Sequence, residues 1–327
     1  MALLLKNSDI ESLVDMRDAI DAVREGFRAE GEGAVQMPPL VLIRTRNGFL
    51  RILTSVVDGI GYMGFKAMNK VNGTGVRYMI QLYDVESGEL LSIMDAKIIT
   101  TLRTAATSAL AAVYLSREDA ETVGCLGSAR ESRAQLEALC AVRNVKVAKV
   151  YSPTEENRRK FADEMSELLK IEVKPASTPE EAVSGTDISY VVTNSTRQFV
   201  EAKWFSPGMH LNAVGATRPE QKEVLPEVFA KADRIVMDMK ENVIHEAGDV
   251  IDALNSKSFS PDSVDDLNEL IVGKKPGRRS SSEFTLFKSV GSATQDISLA
   301  AVIYKRARER GLGVDLGEFP YLKVKTT

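Results

Sequence analysis

The stretch TVGCLGSARES, residues 122–132, decides the fold. A short apolar run reaches Val123. Gly124, Gly127 and Ala129 follow at close intervals, and an amphipathic segment begins after them. Two readings compete: a dinucleotide-binding turn, or an ordinary strand-to-helix loop containing two glycines. The motif alone does not separate them, so its surroundings must.

"ETVGCL" reads as the first strand, and after the glycine turn a helix is expected from Ser132 to Val142. "VKVAKVYS" reads as a second strand and "TEENRRKFADEMSELLK" as a second helix. "IEVKPAS" is a third strand, "TPEEAVSG" a short helix capped at Ser177 or Thr178, and "DISYVVTN", "MHLNAVG" and "ADRIVMD" are the fourth, fifth and sixth strands. Strands alternating with helices imply parallel βαβ units. The glycine turn then sits just after the first strand and before the first helix, the context a dinucleotide turn requires. Spelled G-x-x-G-x-A, it offers Gly124, Gly127, Ser128, Ala129 and Arg130 to a pyrophosphate, backed by the free N–H groups of a helix start. Thr193 and Asn194 at the end of the fourth strand, and Val214, Gly215, Ala216 and Thr217 with the fifth, fall where the cofactor crevice of such a sheet lies.

The second strand of this fold normally ends in an acid that binds the adenosine ribose. Here it ends "KVYSPTEENRRK", with Ser152 in the acid's place, Thr154 close by, and Arg158 and Arg159 beyond. Without a carboxylate there is nothing to repel a 2′-phosphate, and hydroxyls can bond it. This favours NADP(H), with NAD(H) the alternative. The bland reading is that Ser152 and Thr154 only cap the next helix, which suits either cofactor.

Upstream the pattern differs. Met16, Ile20, Val23 and Phe27 recur at helical spacing between Asp15 and Glu30, and Asn7 or Ser8 is placed to cap an earlier short helix. "GAVQMPPLVLIRTRNGFLRILTSVV" reads as strands with a hairpin turn at Asn47-Gly48. "GYMGFKAMNK" and "GVRYMIQLYDVESGELLSIMDA" continue the sheet through a turn at Glu86-Ser87-Gly88. From Thr100, "TTLRTAATSALAAVYLS" is helical.

The chain of 327 residues is long for one core. With 44% hydrophobic and 27% charged residues it has ordinary globular composition, and a formal net charge of −4 gives no bulk attraction to nucleic acid or an anionic membrane. Only Cys125 and Cys140 occur, so no disulfide framework is expected and a cytoplasmic location is the default. His210 and His245 lack companions at ligand spacing, so no metal site is expected. The apolar run in "MALLLKNSDIESLVDM" is too short for a signal peptide or anchor.

"GFKAMN", "LYDVESGELLSIMDAKIITTLRTAATSALAA", "GCLGSA", "LNAVGATRPEQKEV" and "SVGSATQD" follow one another as they do in the ornithine cyclodeaminase/mu-crystallin family, which this chain resembles over nearly its whole length. The resemblance implies an α/β protein. Residues 116–295 would form a Rossmann NAD(P)-binding domain. Residues 1–115 and 296–327 would form a mixed α+β domain for substrate binding and dimerisation. It also implies NAD(P)-linked chemistry on amino or imino acids and a homodimer.

Three cations stand in apolar or small-residue surroundings: Arg51 in "FLRILTS", Lys66 in "GFKAMN" and Arg103 in "TLRTAAT". An α-imino acid carries a carboxylate beside its reacting carbon, and arginine binds both oxygens of such a group. By resemblance, Arg51 and Lys66 occupy substrate positions, and Arg103 that of an arginine touching the cofactor near the substrate. Burial and a neighbouring Arg51 would lower the pKa of Lys66, suiting it to hold the carboxylate or move a proton at the imine nitrogen. Asp296 matches a recurrent family acid that orients Lys66 or the substrate nitrogen; the bland reading is an acid favoured by a helix N-terminus. Ser289, Val290 and Gly291 match residues lining nicotinamide and substrate, and Tyr78 either shapes the pocket or packs in the sheet. The bland reading of each cation is a surface ion pair.

Two departures from the family bear on substrate. Cyclodeaminases carry an aspartate where Thr217 stands, and an acid for a distal ammonium in the strand that here holds Arg51. A cation there repels an ammonium. The reading is therefore imine reduction or amino-acid dehydrogenation. Cyclodeamination with internally recycled cofactor, and a non-catalytic NADP- and ligand-binding protein, are the alternatives.

Overall fold

A computed structural model describes residues 2–320. The chain divides into two compact units, with breaks at Arg103/Thr104 and Gly291/Ser292. The sequence reading puts the first break at the end of a helix, after residue 115. The helix Lys97–Leu115 instead contributes its first residues to one unit and the rest to the other. A continuous helix gives no sequence signal for a break within it.

In the first unit, Gly48–Val57, Tyr62–Val71, Val76–Asp84 and Leu90–Asp95 form an antiparallel meander. It belongs to an eight-stranded sheet. Val41–Thr45 and Val35–Gln36 pair with Gly48–Val57. Leu3–Leu5 pairs in parallel with Leu90–Asp95, a strand not expected from three leucines, which carry no period. Thr45 pairs with Gly48, so the hairpin loop is Arg46-Asn47, one residue before the expected Asn47-Gly48. The second turn is as expected: Gly88 has φ +70°, and Asp84 Oδ1 accepts from the Ser87 N–H at 2.8 Å. The first helix is capped at Lys6 rather than at Asn7 or Ser8, with the Lys6 N–H donating to Asp9 Oδ2.

Asp15 caps the helix Met16–Gly31, whose Ile20, Val23 and Phe27 are buried as their spacing predicts. This helix packs on the last one, Ala293–Arg310, which lies across the meander. The approach is close: a Cβ at Gly26 would meet Ser298 Oγ at 2.2 Å.

The second unit is a parallel sheet of eight strands. Its spatial order is Glu172–Pro175, Val147–Tyr151, Thr122–Leu126, Ile188–Val191, His210–Ala213, Thr285–Lys288, Arg234–Met237, Val264–Asp266. Numbered along the chain, these run third, second, first, fourth, fifth, eighth, sixth, seventh. The direction of winding reverses between the first strand and the fourth, the switch point at which ligands of doubly wound sheets bind. Six strands were legible from the alternation; Val264–Asp266 and Thr285–Lys288, of 3 and 4 residues, were not among them. Buried His210 crosses strands inside this sheet, its Nδ1 2.9 Å from Thr285 Oγ1 and its Nε2 3.1 Å from Asn212 Oδ1. Burial drives its pKa down to about 3, so it stays neutral as a packing element.

The helix Lys97–Leu115 is apolar and long enough to cross a membrane by length and composition alone, yet 72% of its apolar window is buried in the protein. It is a core helix.

Candidate active site

Strand alternation builds a cluster of cations within the first unit. Arg51 and Leu53 lie on one face of Gly48–Val57; Leu53 is opposite Lys66, Arg51 opposite Met68, and Met68 opposite Tyr78. Arg51, Lys66 and Tyr78 therefore share a sheet face. Lys66 is 0% exposed, and Arg51 and Arg103 are buried. An ammonium removed from water needs a counter-charge. The last helix supplies it from its first turn: Lys66 Nζ donates to Asp296 Oδ1 at 2.8 Å and lies 2.6 Å from Oδ2. Arg103 Nε donates to the same Oδ1 at 3.0 Å, and its Nη1 to Gln295 Oε1 at 3.1 Å. Asp296 is thus an ion-pair hub as well as a helix N-terminal acid.

Two buried cations share one carboxylate here. Burial, reinforced by the charge of Arg103, pulls the Lys66 ammonium from 10.5 down to about 7; Asp296 acts in the opposite sense, and Arg51 adds a smaller push downward. Lys66 is thereby poised to hold or release a proton near neutrality. The half-buried Tyr78 presents its ring 6.0 Å from Lys66 Nζ. Arg103, expected to touch a cofactor, is committed through Nε to Asp296. Its partner Gln295 was not singled out in the sequence.

In the second unit, the turn differs in detail from the sequence reading. Gly124 lies inside the strand, which ends at Leu126 as the reading of "ETVGCL" has it, and a Cβ there would meet the Ala182 carbonyl at 2.6 Å. It is a packing glycine. Gly127 is the turn glycine: φ is +121°, and a Cβ would meet the Val192 carbonyl oxygen at 2.6 Å. The helix begins at Arg130, two residues earlier than expected, with Ala129 at its N-cap and no side-chain cap. Ser128 is half-buried, and Ala129 and Arg130 are exposed. A turn without room for side chains, leading to an uncapped helix start, fits a pyrophosphate.

At the end of the second strand, Thr154 is the N-cap of Glu155–Leu169 but makes no side-chain cap. Ser152 Oγ donates to the Thr154 carbonyl at 3.2 Å, and Arg158 Nη1 to the Ser152 carbonyl at 3.1 Å. The capping role suggested for these two hydroxyls is therefore absent; the bonds shape the loop instead.

Buried carboxylates not foreseen from the sequence hold the segments after the other strands. Glu223 accepts from the Thr193 N–H and Oγ1 and from the Ala216 N–H. Asp238 accepts from Ser289 Oγ at 2.6 Å, the Gly291 N–H at 2.8 Å and the Val290 N–H at 3.2 Å. Lys288 pairs with Asp249 at 3.3 Å, both fully buried. Thr193 and Ser289, expected on the ligand, thus use their hydroxyls within the protein. Thr217 Oγ1 donates to Gln221 Oε1 at 3.3 Å, and Asn194 is exposed. Val214 is buried, its N–H donating to the Val191 carbonyl, and Gly215 abuts Glu223. Glu223 in "EQKEV" stands among polar neighbours as a surface residue would, and only its packing shows otherwise.

A family model described as ornithine cyclodeaminase/mu-crystallin matches residues 1–311. The alanine dehydrogenase of Archaeoglobus fulgidus is 34% identical over 319 residues, covering 95% of this chain and 97% of that one. The Thermococcus litoralis Δ1-pyrroline-2-carboxylate reductase, solved with NADH and L-proline, superposes with a TM-score of 0.92 at 34% identity, covering 96% of this chain and all of that one. An archaeal alanine dehydrogenase dimer with bound NAD superposes with a TM-score of 0.91 at 33% identity, covering 97% of this chain and 99% of that one. The chain therefore belongs to the ornithine cyclodeaminase/mu-crystallin family.

Proposed function

We propose that this protein is an NAD(P)H-dependent reductase of α-imino acids, running in reverse as an amino-acid dehydrogenase. The observation that carries the reading is Lys66, wholly buried, salt-bridged to Asp296 and with its pKa brought to about 7. Its relatives act on such substrates: one reduces pyrroline-2-carboxylate and another dehydrogenates alanine.

Reduction adds a hydride to the imine carbon and a proton to the nitrogen. A bound reduced nicotinamide supplies the hydride when present, held through Gly127, Ser128, Ala129 and the helix start at Arg130. Arg51 and Arg103 supply the positive field for the substrate carboxylate. Lys66 Nζ gives the proton in reduction and takes it back in dehydrogenation, while Asp296 orients it. Thr217 and Arg51 stand where a cyclodeaminase would have acids, which favours a substrate without a distal ammonium.

The same reading takes NADP(H) as the preferred cofactor, on Ser152 in place of an acid, although the relatives named above bind NADH and NAD. It takes the protein as a homodimer joined through the first unit, where Val41, Leu42 and Ile43 of one strand are exposed. It also takes the location as cytoplasmic, which suits the free thiols Cys125 and Cys140. The test is loss of absorbance at 340 nm with NADPH and NADH over cyclic imines, and over pyruvate, glyoxylate and oxaloacetate with ammonia or methylamine. Stoichiometric consumption with at least one imine is expected; dinucleotide binding without turnover across the whole panel would overturn the reading.

A further inference from the structure

Glu223 is 0% exposed and lies on the short strand Lys222–Val224, which pairs with Thr196–Val200 outside the main sheet. Its two carboxylate oxygens serve different loops. Oε1 accepts from the Thr193 N–H at 2.5 Å and from Thr193 Oγ1 at 2.7 Å, just beyond the fourth strand. Oε2 accepts from the Ala216 N–H at 2.9 Å, just beyond the fifth. Three donors converge on the group, which accepts from each of them; burial raises its pKa, and the nearby Lys288 charge and the Thr193 bonds act in the opposite sense. Gly215 completes the fit, since a Cβ there would meet Glu223 Oε1 at 2.1 Å and the Thr193 N–H nitrogen at 2.5 Å.

These loops leave the carboxyl ends of adjacent parallel strands, the end at which doubly wound sheets take ligands. The first and second strands and the glycine turn serve the adenosine half of a dinucleotide. The strands on the other side of the switch point serve the other half. We infer that Glu223 is a positioning residue that staples the loops after the fourth and fifth strands into the shape required by the nicotinamide half of the cofactor. This rests on the dinucleotide reading above. One consequence is that the N–H groups of Thr193 and Ala216 are spent on Glu223 and do not bond the ligand; these loops meet it through carbonyls and van der Waals surface. Asp238 holds Ser289 to Gly291 after the eighth strand in the same manner.

The test compares two ligands on the full-length protein by calorimetric titration: the intact dinucleotide (NADH and NADPH separately) and ADP-ribose, which lacks the nicotinamide. E223Q keeps the side chain's shape but turns an amide N–H2 toward an N–H donor. The expected result is at least a tenfold loss of dinucleotide affinity, with ADP-ribose affinity held within twofold. A residue that only supports the fold would weaken both ligands together, and that result, or no loss for either, overturns the inference. If E223Q does not fold, T193V removes just the hydroxyl donor; about a threefold loss confined to the dinucleotide is expected, and an unchanged ratio of affinities overturns the inference. Failure of the wild-type protein to bind any dinucleotide would sink the functional reading itself, a distinct outcome.

Discussion

Lys66 Nζ and Asp296 Oδ1 lie 2.8 Å apart with neither side chain exposed, although 230 residues separate them in sequence. The pair joins the middle of a sheet strand to the first turn of the last helix. Because Arg103 shares the same carboxylate, Asp296 only partly offsets the effect of burial on Lys66. A lysine with a pKa of about 7 must be protonated to donate in the reductive direction. Reductive kcat/KM is therefore expected to fall as pH rises through about 7, and the oxidative reaction to rise through the same region. K66M should lower turnover by about 10²–10⁴-fold, the usual contribution of a positioned acid or base, while NADH affinity stays unchanged. Full turnover in K66M would remove Lys66 from the chemistry.

Removing the hub carboxylate tests its influence on that proton. Asp296 stabilises charged Lys66, so D296N is expected to lower the lysine's pKa further and move the reductive fall to lower pH. Stability should fall as well. Losing one partner of a buried ion pair costs about 3–5 kcal/mol when the other must stay charged, and Arg103 must. Urea unfolding at pH 6 measures the cost, and rate profiles from pH 5 to 9 measure the shift. A profile that stays in place, or moves to higher pH, would contradict this account of Asp296.

The same lysine affects stability in a direction opposite to an ordinary ion pair. Its pKa in the folded state is about 7, below the 10.5 of the unfolded chain, so the unfolded state binds more protons between those values. Unfolding free energy should therefore gain an upward slope with pH across that window, and the cost of burying Lys66 is fully present below it. K66M should show a shallower slope from pH 7 to 10 in urea titrations at fixed ionic strength. An identical slope would mean that the lysine titrates normally in the fold.

How much of this was legible beforehand depends on the range of the contact. The alternation of strands and helices from Thr122 to Met237 is a local pattern, and it placed six parallel strands and the turn. Lys66 and Arg51 stood out because a cation flanked by apolar residues on an alternating strand is already anomalous. That Lys66 and Arg103 share Asp296 depends on a helix returning from the far end of the chain, which no local pattern encodes. Glu223 was invisible for the same reason, since its donors come from two loops and its own surroundings read as polar. The distinction between Gly124 and Gly127 also needed the structure: both are glycines in one motif, but one makes room for the Ala182 carbonyl and the other adopts φ +121°.

Gly127 gives a stability comparison with an internal control. Alanine at Gly127 must adopt an unfavourable φ and also meets the Val192 carbonyl oxygen at 2.6 Å. Gly33 has φ +81°, but a Cβ there meets nothing within 4 Å. G33A should cost about 1 kcal/mol through backbone conformation alone. G127A should cost about 2–4 kcal/mol by adding displacement of the turn, and should also weaken NADH and ADP-ribose equally. Equal costs for the two variants in urea unfolding would show that the approach to Val192 carries no energetic weight.

Ser152 is where cofactor choice is open to experiment. It is 7% exposed, its hydroxyl bonds the Thr154 carbonyl, and Arg158 donates to its own carbonyl oxygen. An aspartate at the end of this strand would offer an acceptor to the ribose hydroxyls of NADH and place a negative charge against a 2′-phosphate. At contact distance near the surface, such repulsion amounts to one or a few kcal/mol. The wild-type protein is expected to bind NADPH more tightly than NADH. S152D should weaken NADPH by more than tenfold while leaving NADH equal or tighter, so that the preference inverts. Raising the salt concentration should narrow the gap, because the interaction is electrostatic and partly exposed. Tighter NADH binding by the wild type, or an S152D variant whose two affinities fall together, would mean that the missing acid does not set the preference.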